Sequence, residues 1–138
     1  MDLETHRLLA RWAADCAERV LALFEEEAVD DRPRRAIETA RAWARGEVRV
    51  GAGQKAAVAA HAATREVREK GAVAAARAAG HAAATAHAGD HCMGSAHYAV
   101  RALAARGVAA REEREWQMAW LPKGVREWVA EGMQAKGI

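Results

Sequence analysis

Apolar positions along the first segment, about residues 2–28, recur at helical spacing. Leu8, Leu9, Trp12, Ala13, Cys16, Val20, Leu23 and Phe24 fall on one stripe, and Asp2 stands where an N-cap acceptor is needed. Asp30-Asp31-Arg32-Pro33 opens a second helix, because either carboxylate can take free N–H groups and a first-turn proline loses no hydrogen bond. That helix turns Ile37, Ala40, Trp43 and Ala44 inward and closes at Gly46. A connector containing Gly51 and Gly53 leads to a third helix over about 53–70, ending at Gly71. Further helices are predicted at about 72–88 and 90–106, parted at Gly89-Asp90 with Asp90 as the cap. One more runs over about 108–120 to Leu121-Pro122, and a short last one over 124–133. The prediction is an all-α, compact single-domain bundle spanning 1–138, with six or seven mostly antiparallel, alanine-rich helices.

Composition strengthens the helical reading and adds a packing constraint. Of the apolar residues, 38 are Ala, against seven Leu, eleven Val and two Ile. Alanine is the best helix former, and small facing side chains let helix axes approach closely. Trp12, Trp43, Trp116, Trp120 and Trp128 are then expected to fill the wider gaps. The absence of Asn and the excess of Arg (17) over Lys (4) fit a bacterium with a GC-rich genome.

Charge is uneven although the net is only +2. Residues 1–31 carry nine acids and three bases, whereas 32–80 carry eleven bases and four acids. The basic stretch interleaves Arg with Glu at helical spacing, the pattern of a solvated helix face, so nucleic acid is not the expected partner. Cys16 and Cys92 match no metal or redox spacing, which suits a reducing compartment. The start, Met1-Asp2-Leu3-Glu4, is acidic where a secretory leader is basic, and the longest uncharged run is 78–89. A cytoplasmic protein without a membrane partner is expected.

Candidate chemistry is concentrated in the histidines, five of which lie between His61 and His97. His87 and His91 stand four apart, the spacing of two zinc-binding imidazoles on one helix face. Gly89-Asp90 interrupts that face, however, and no Glu-x-x-His pair accompanies it. His61, His81, Thr85, His87 and His91 therefore form either a ligand site or a set of buried, hydrogen-bonded polar groups, and no metal or cofactor is expected. His81 and Thr85 share a face beside Gly80, which admits a close neighbour. Ser95, the one serine, lies in Gly94-Ser95-Ala96 without a nucleophile elbow, and no phosphate-binding glycine loop exists. Glu25, Glu26 and Glu27 crowd a helix C-terminus, where the dipole disfavours acids, and Asp30 and Asp31 extend the same patch. Such a ridge suits contact with a basic partner.

Several of these segments resemble the Imm-five-like family of immunity proteins. The resemblance rests on Asp31-Arg32-Pro33-Arg34-Arg35-Ala36-Ile37-Glu38, on Ala40-Arg41-Ala42-Trp43-Ala44-Arg45-Gly46, and on Ala60-His61-Ala62-Ala63-Thr64-Arg65-Glu66. It is densest at Ala78-Ala79-Gly80-His81-Ala82-Ala83-Ala84-Thr85-Ala86-His87, Asp90-His91 and Tyr98-Ala99-Val100, and covers about 28–106, leaving the Trp-bearing helices of 108–138 outside. The resemblance implies an all-α, non-catalytic protein of a bacterial polymorphic-toxin system that binds and neutralises a cognate toxin. On that reading Glu25, Glu26, Glu27, Asp30 and Asp31 are the contact surface. The alternative is a small metal- or ligand-dependent enzyme or binding protein using His61, His81, His87 and His91.

Overall fold

The computed structural model describes residues 1–138 and contains eight α-helices and no strand. They are α1 (Leu3–Glu18), α2 (Leu21–Glu25), α3 (Arg32–Ala44), α4 (Val50–Ala63), α5 (Lys70–Ala84), α6 (His91–Ala104), α7 (Ala110–Ala119) and α8 (Lys123–Lys136), with a 3-10 turn at Thr64–Glu66. The count exceeds the expected six or seven because the first predicted helix is two. Its chain turns at Arg19-Val20, where Arg19 leaves the helix axis to form a bidentate ion pair with Glu113 of α7. Glu113 is only 1% exposed, so a solvated continuation of α1 would leave this carboxylate buried without its partner.

The caps follow local chemistry with two changes from expectation. Asp2 accepts from the Thr5 N–H at 2.7 Å. At α3, Asp30 accepts from the Arg32 N–H, while Asp31 makes no cap bond. Asp90 precedes α6 but its carboxylate pairs with Lys136 of α8 instead of capping. Glu69 caps α5 by accepting from the N–H groups of Gly71 and Ala72. Gly46 and Gly107 end their helices at positive φ, 78° and 84°.

α5 lies at the centre, packed against α1, α2, α3, α4 and α6. Eleven of its fifteen residues are buried, and all eleven are Ala or Gly, which is the only way so many helices can crowd one axis. α6 runs antiparallel to it: the Ser95 hydroxyl on α6 lies 3.0 Å from the Ala78 carbonyl and 2.8 Å from Ala13 on α1. Gly51 and Gly53, expected in a connector, lie inside α4. A Cβ at Gly53 would come within 2.9 Å of the Ala83 carbonyl oxygen of α5, so this glycine sets a helix contact. Trp12 and Trp43 are buried as expected, with Trp12 donating to the Gln117 carbonyl at 2.7 Å. Trp120 is 67% exposed and Trp128 39% exposed, so these two do not fill gaps in the core. No helix is long and apolar enough to cross a membrane.

The two glycines of α4 give a paired prediction. Gly51 has nothing within 4 Å of a would-be Cβ, so Gly51→Ala should stabilise the fold by about 0.5–1 kcal/mol through helix propensity. Gly53→Ala should instead cost roughly 1–3 kcal/mol by overpacking against α5. Urea unfolding of both variants reads the opposite signs; equal effects would mean that α4 and α5 are not in close contact there.

Candidate functional site

The histidines meet on the face shared by α4, α5 and α6. His81 is the hub: its ring centroid lies 5.2 Å from that of His61, 5.3 Å from His91 and 5.3 Å from Tyr98, on which it stacks. The Nδ1 atoms of His81 and His91 are 3.1 Å apart, and His87 extends the row with its ring 5.1 Å from His91. Glycines make room for this. A Cβ at Gly80 would meet the His61 ring at 2.6 Å, and one at Gly94 would meet His81 at 2.5 Å. The close neighbour that Gly80 admits is thus an imidazole of α4.

An Nδ1 pair at 3.1 Å holds one proton between two nitrogens, so at least one ring is neutral and donates or accepts through a defined tautomer. Burial pushes His61, His81 and His91 below the ordinary imidazole value, His81 to about 4, and neighbouring positive charge acts in the same direction on His81. His97, also on α6, is lowered by burial and then by Arg101 and Arg114. No three of the His, Cys, Asp and Glu side chains converge with metal-binding geometry. Thr85 does not join the row. Its hydroxyl donates to the His81 carbonyl within the helix, and its own carbonyl lies 2.6 Å from His6 Nε2.

Other reactive groups are committed to the fold. Ser95 is fully buried between two helix carbonyls, and the Cys16 and Cys92 thiols are buried and pushed up, Cys92 to about 12, chiefly by desolvation. Such thiols are inert rather than nucleophilic.

The acidic ridge borders a shallow concavity of about 760 Å³ lined by Glu25, Val29, Asp30, Asp31 and arginines 32 and 34. Four of its five acids have in-chain partners: Glu25 with Arg34, Asp30 with Arg32, Asp31 with Arg35, and Glu26 with Arg106 at 3.4 Å. Glu27 alone is exposed and unpaired. The helix these acids terminate, α2, has five residues, so the dipole conflict read from a long first helix is small. Arginines of α3 thus offset the repulsion that the sequence suggests.

Residues not expected to form a site line a second groove beside the histidines. It lies between α5 and α6, has a volume of about 460 Å³, and is bordered by Arg68, Lys70, Arg77, Tyr98 and Arg101 over a floor that includes Val73 and Ala74. The signal was present as Lys70, Val73, Arg77 and His81, a single helical stripe, but it was masked by the nearby glutamates.

Comparison with known proteins assigns the family. The family model described as "Imm-5 like putative immunity protein" matches residues 1–124. The chain belongs to this family. The match is wider than the 28–106 stretch of the sequence resemblance and takes in α1, α2 and α7 with Trp116 and the following Trp120. No curated protein and no solved structure matches the chain.

The lowered imidazoles fix the sign of a pH dependence. Unfolded, each titrates near 6.5; folded, His81 titrates near 4 and His61, His91 and His97 also lie lower. Between these values the unfolded chain binds more protons, so stability is complete above pH 6.5 and is lost as pH falls toward 4. Each unit of displacement carries about 1.4 kcal/mol, discounted here because the rings keep some solvent contact. The urea midpoint should fall over this window, and His81→Gln should flatten the slope. A midpoint constant across it would contradict the neutral cluster.

Proposed function

We propose that the chain is an immunity protein that binds a toxin of the same bacterium in the cytoplasm and blocks it without chemistry of its own. The family match over residues 1–124 carries this reading. Three features of the site support it. The one serine hydroxyl is spent on helix carbonyls, the thiols are buried, and the imidazoles pair with one another and with Tyr98 rather than with a nucleophile. What faces solvent is a rigid, alanine-packed scaffold with preformed polar grooves, and binding through such a surface costs little ordering entropy. In this reading the ridge of Glu25, Glu26, Glu27, Asp30 and Asp31 is a rim of the contact. Four of its carboxylates reach a basic partner only by sharing it with in-chain arginines, and Glu27 is the free one.

The test is co-production of the chain with the toxin-like product of the neighbouring gene. Growth arrest by that product alone, relieved by the chain through a stoichiometric complex, is the expected result. Arrest that persists with the folded chain present, and no complex on mixing the purified proteins, would overturn the reading.

A further inference from the structure

We propose that the α5–α6 groove is a docking site for an acidic segment of the partner protein, one that presents carboxylates beside small apolar side chains. This deepens the immunity reading and rests on it for the identity of the partner. The central helix is covered everywhere except along one strip: Lys70, Val73, Arg77 and His81 are its only residues that reach solvent. Across from them on antiparallel α6 stand Arg101 and Tyr98, and Arg68 closes the end of the groove. The strip from Lys70 to His81 is about 16 Å long at helical rise, enough for a short extended peptide.

The cations of the groove differ from those along α3. Arginines 32, 34, 35, 41 and 45 are each held by an in-chain carboxylate. Arg68, Lys70, Arg77 and Arg101 make no ion pair, and no carboxylate lines the groove. The nearest glutamates are engaged elsewhere: Glu69 caps α5 and reaches Arg106, and Glu66 faces Arg32 at 3.8 Å. Four like charges gathered around one groove repel one another, and an acidic ligand relieves that repulsion. The guanidinium of Arg77 lies 5.8 Å from the Tyr98 ring centroid, so an aromatic wall accompanies the cations. The floor of Val73, Ala74, Ala104 and Ala105 is apolar. An apolar floor fits a peptide better than a sugar-phosphate backbone, whose contacts are mostly to charge.

The experiment uses fluorescence anisotropy with two labelled probes: a dodecapeptide alternating Glu with Ala and Leu, and a single-stranded RNA of similar charge. Arg77 and Arg101 are exposed, so R77E/R101E should fold, with a melting temperature equal to or above the parent's. The parent should bind the peptide more tightly than the RNA, weakening with salt, and R77E/R101E should lose about tenfold or more in peptide affinity. Peptide affinity unchanged in the variant, or no peptide binding by the parent, overturns the proposal. Tighter binding of the RNA, lost in the variant, overturns it in favour of a nucleic-acid site. The neighbouring gene's product, titrated in parallel, separates the two claims. If it binds parent and R77E/R101E equally, the groove fails and the immunity reading stands. If it binds neither while the acidic peptide distinguishes them, the groove stands as an acidic-peptide site and the toxin assignment fails.

Discussion

A helix surrounded by five others can carry only small side chains where they touch it, and α5 meets that condition. Its buried positions are all Ala or Gly, and Gly53 on α4 and Gly71 on α5 let backbone oxygens of neighbouring helices approach within about the span of a single Cβ contact. The high alanine content of the chain is a consequence of this geometry as well as of helix propensity. Alanine layers bury little area per residue, so side chains at the periphery supply much of the remaining specificity. Phe24, Leu9, Ile37 and Trp12 fill the space between α5 and the outer helices. Polar contacts such as Arg19–Glu113, Trp12 to the Gln117 carbonyl, and Gln117 to the Ala96 carbonyl hold α7 to α1 and α6.

The same constraint limits what α5 presents to solvent. Because α5 is enclosed, its chemistry reaches solvent along the single strip that runs from Lys70 to His81. One end of that strip is permanently cationic. The other ends in imidazoles that burial keeps neutral near pH 7, seated where Gly80 and Gly94 leave room for rings. The groove thus offers charge and aromatic surface, and the imidazoles beside it add hydrogen-bonding capacity on the same rigid base. The acidic ridge is a different kind of surface, since most of its charge is neutralised by the arginines of α3.

Helices were legible from spacing and caps wherever a stripe of large apolar residues met a proline, Gly46 or Gly107. The break at Arg19-Val20 was not legible, because the contact found there joins Arg19 to Glu113, 94 residues away in the chain. Gly51 and Gly53 were misplaced for a related reason: local propensity marks glycine as a breaker, while Gly53 is required by a contact with α5. The gathering of His61, His81, His87 and His91 was visible as a cluster in sequence, and the structure adds Tyr98 and leaves Thr85 aside. The basic groove was hidden because Arg68 and Lys70 stand next to Glu66 and Glu69 in sequence while Arg101 comes from another helix, and only the fold shows those acids turned to other partners. Trp120 and Trp128, read as core, are exposed because α7 and α8 lie on the outside of the bundle and bury chiefly Glu113, Gln117, Val129 and Met133.

A partner docked as proposed covers the open strip of the central helix of a rigid bundle. Amide hydrogen exchange on the chain alone and in complex with the neighbouring gene's product tests it most directly. Amides of the buried half of α5, 78–84, are expected to exchange slowest in the free chain and to change little on binding, while new protection appears at 68–77 and 97–105. Protection confined to the acidic ridge, or to α7 and α8 around the exposed tryptophans, would contradict it.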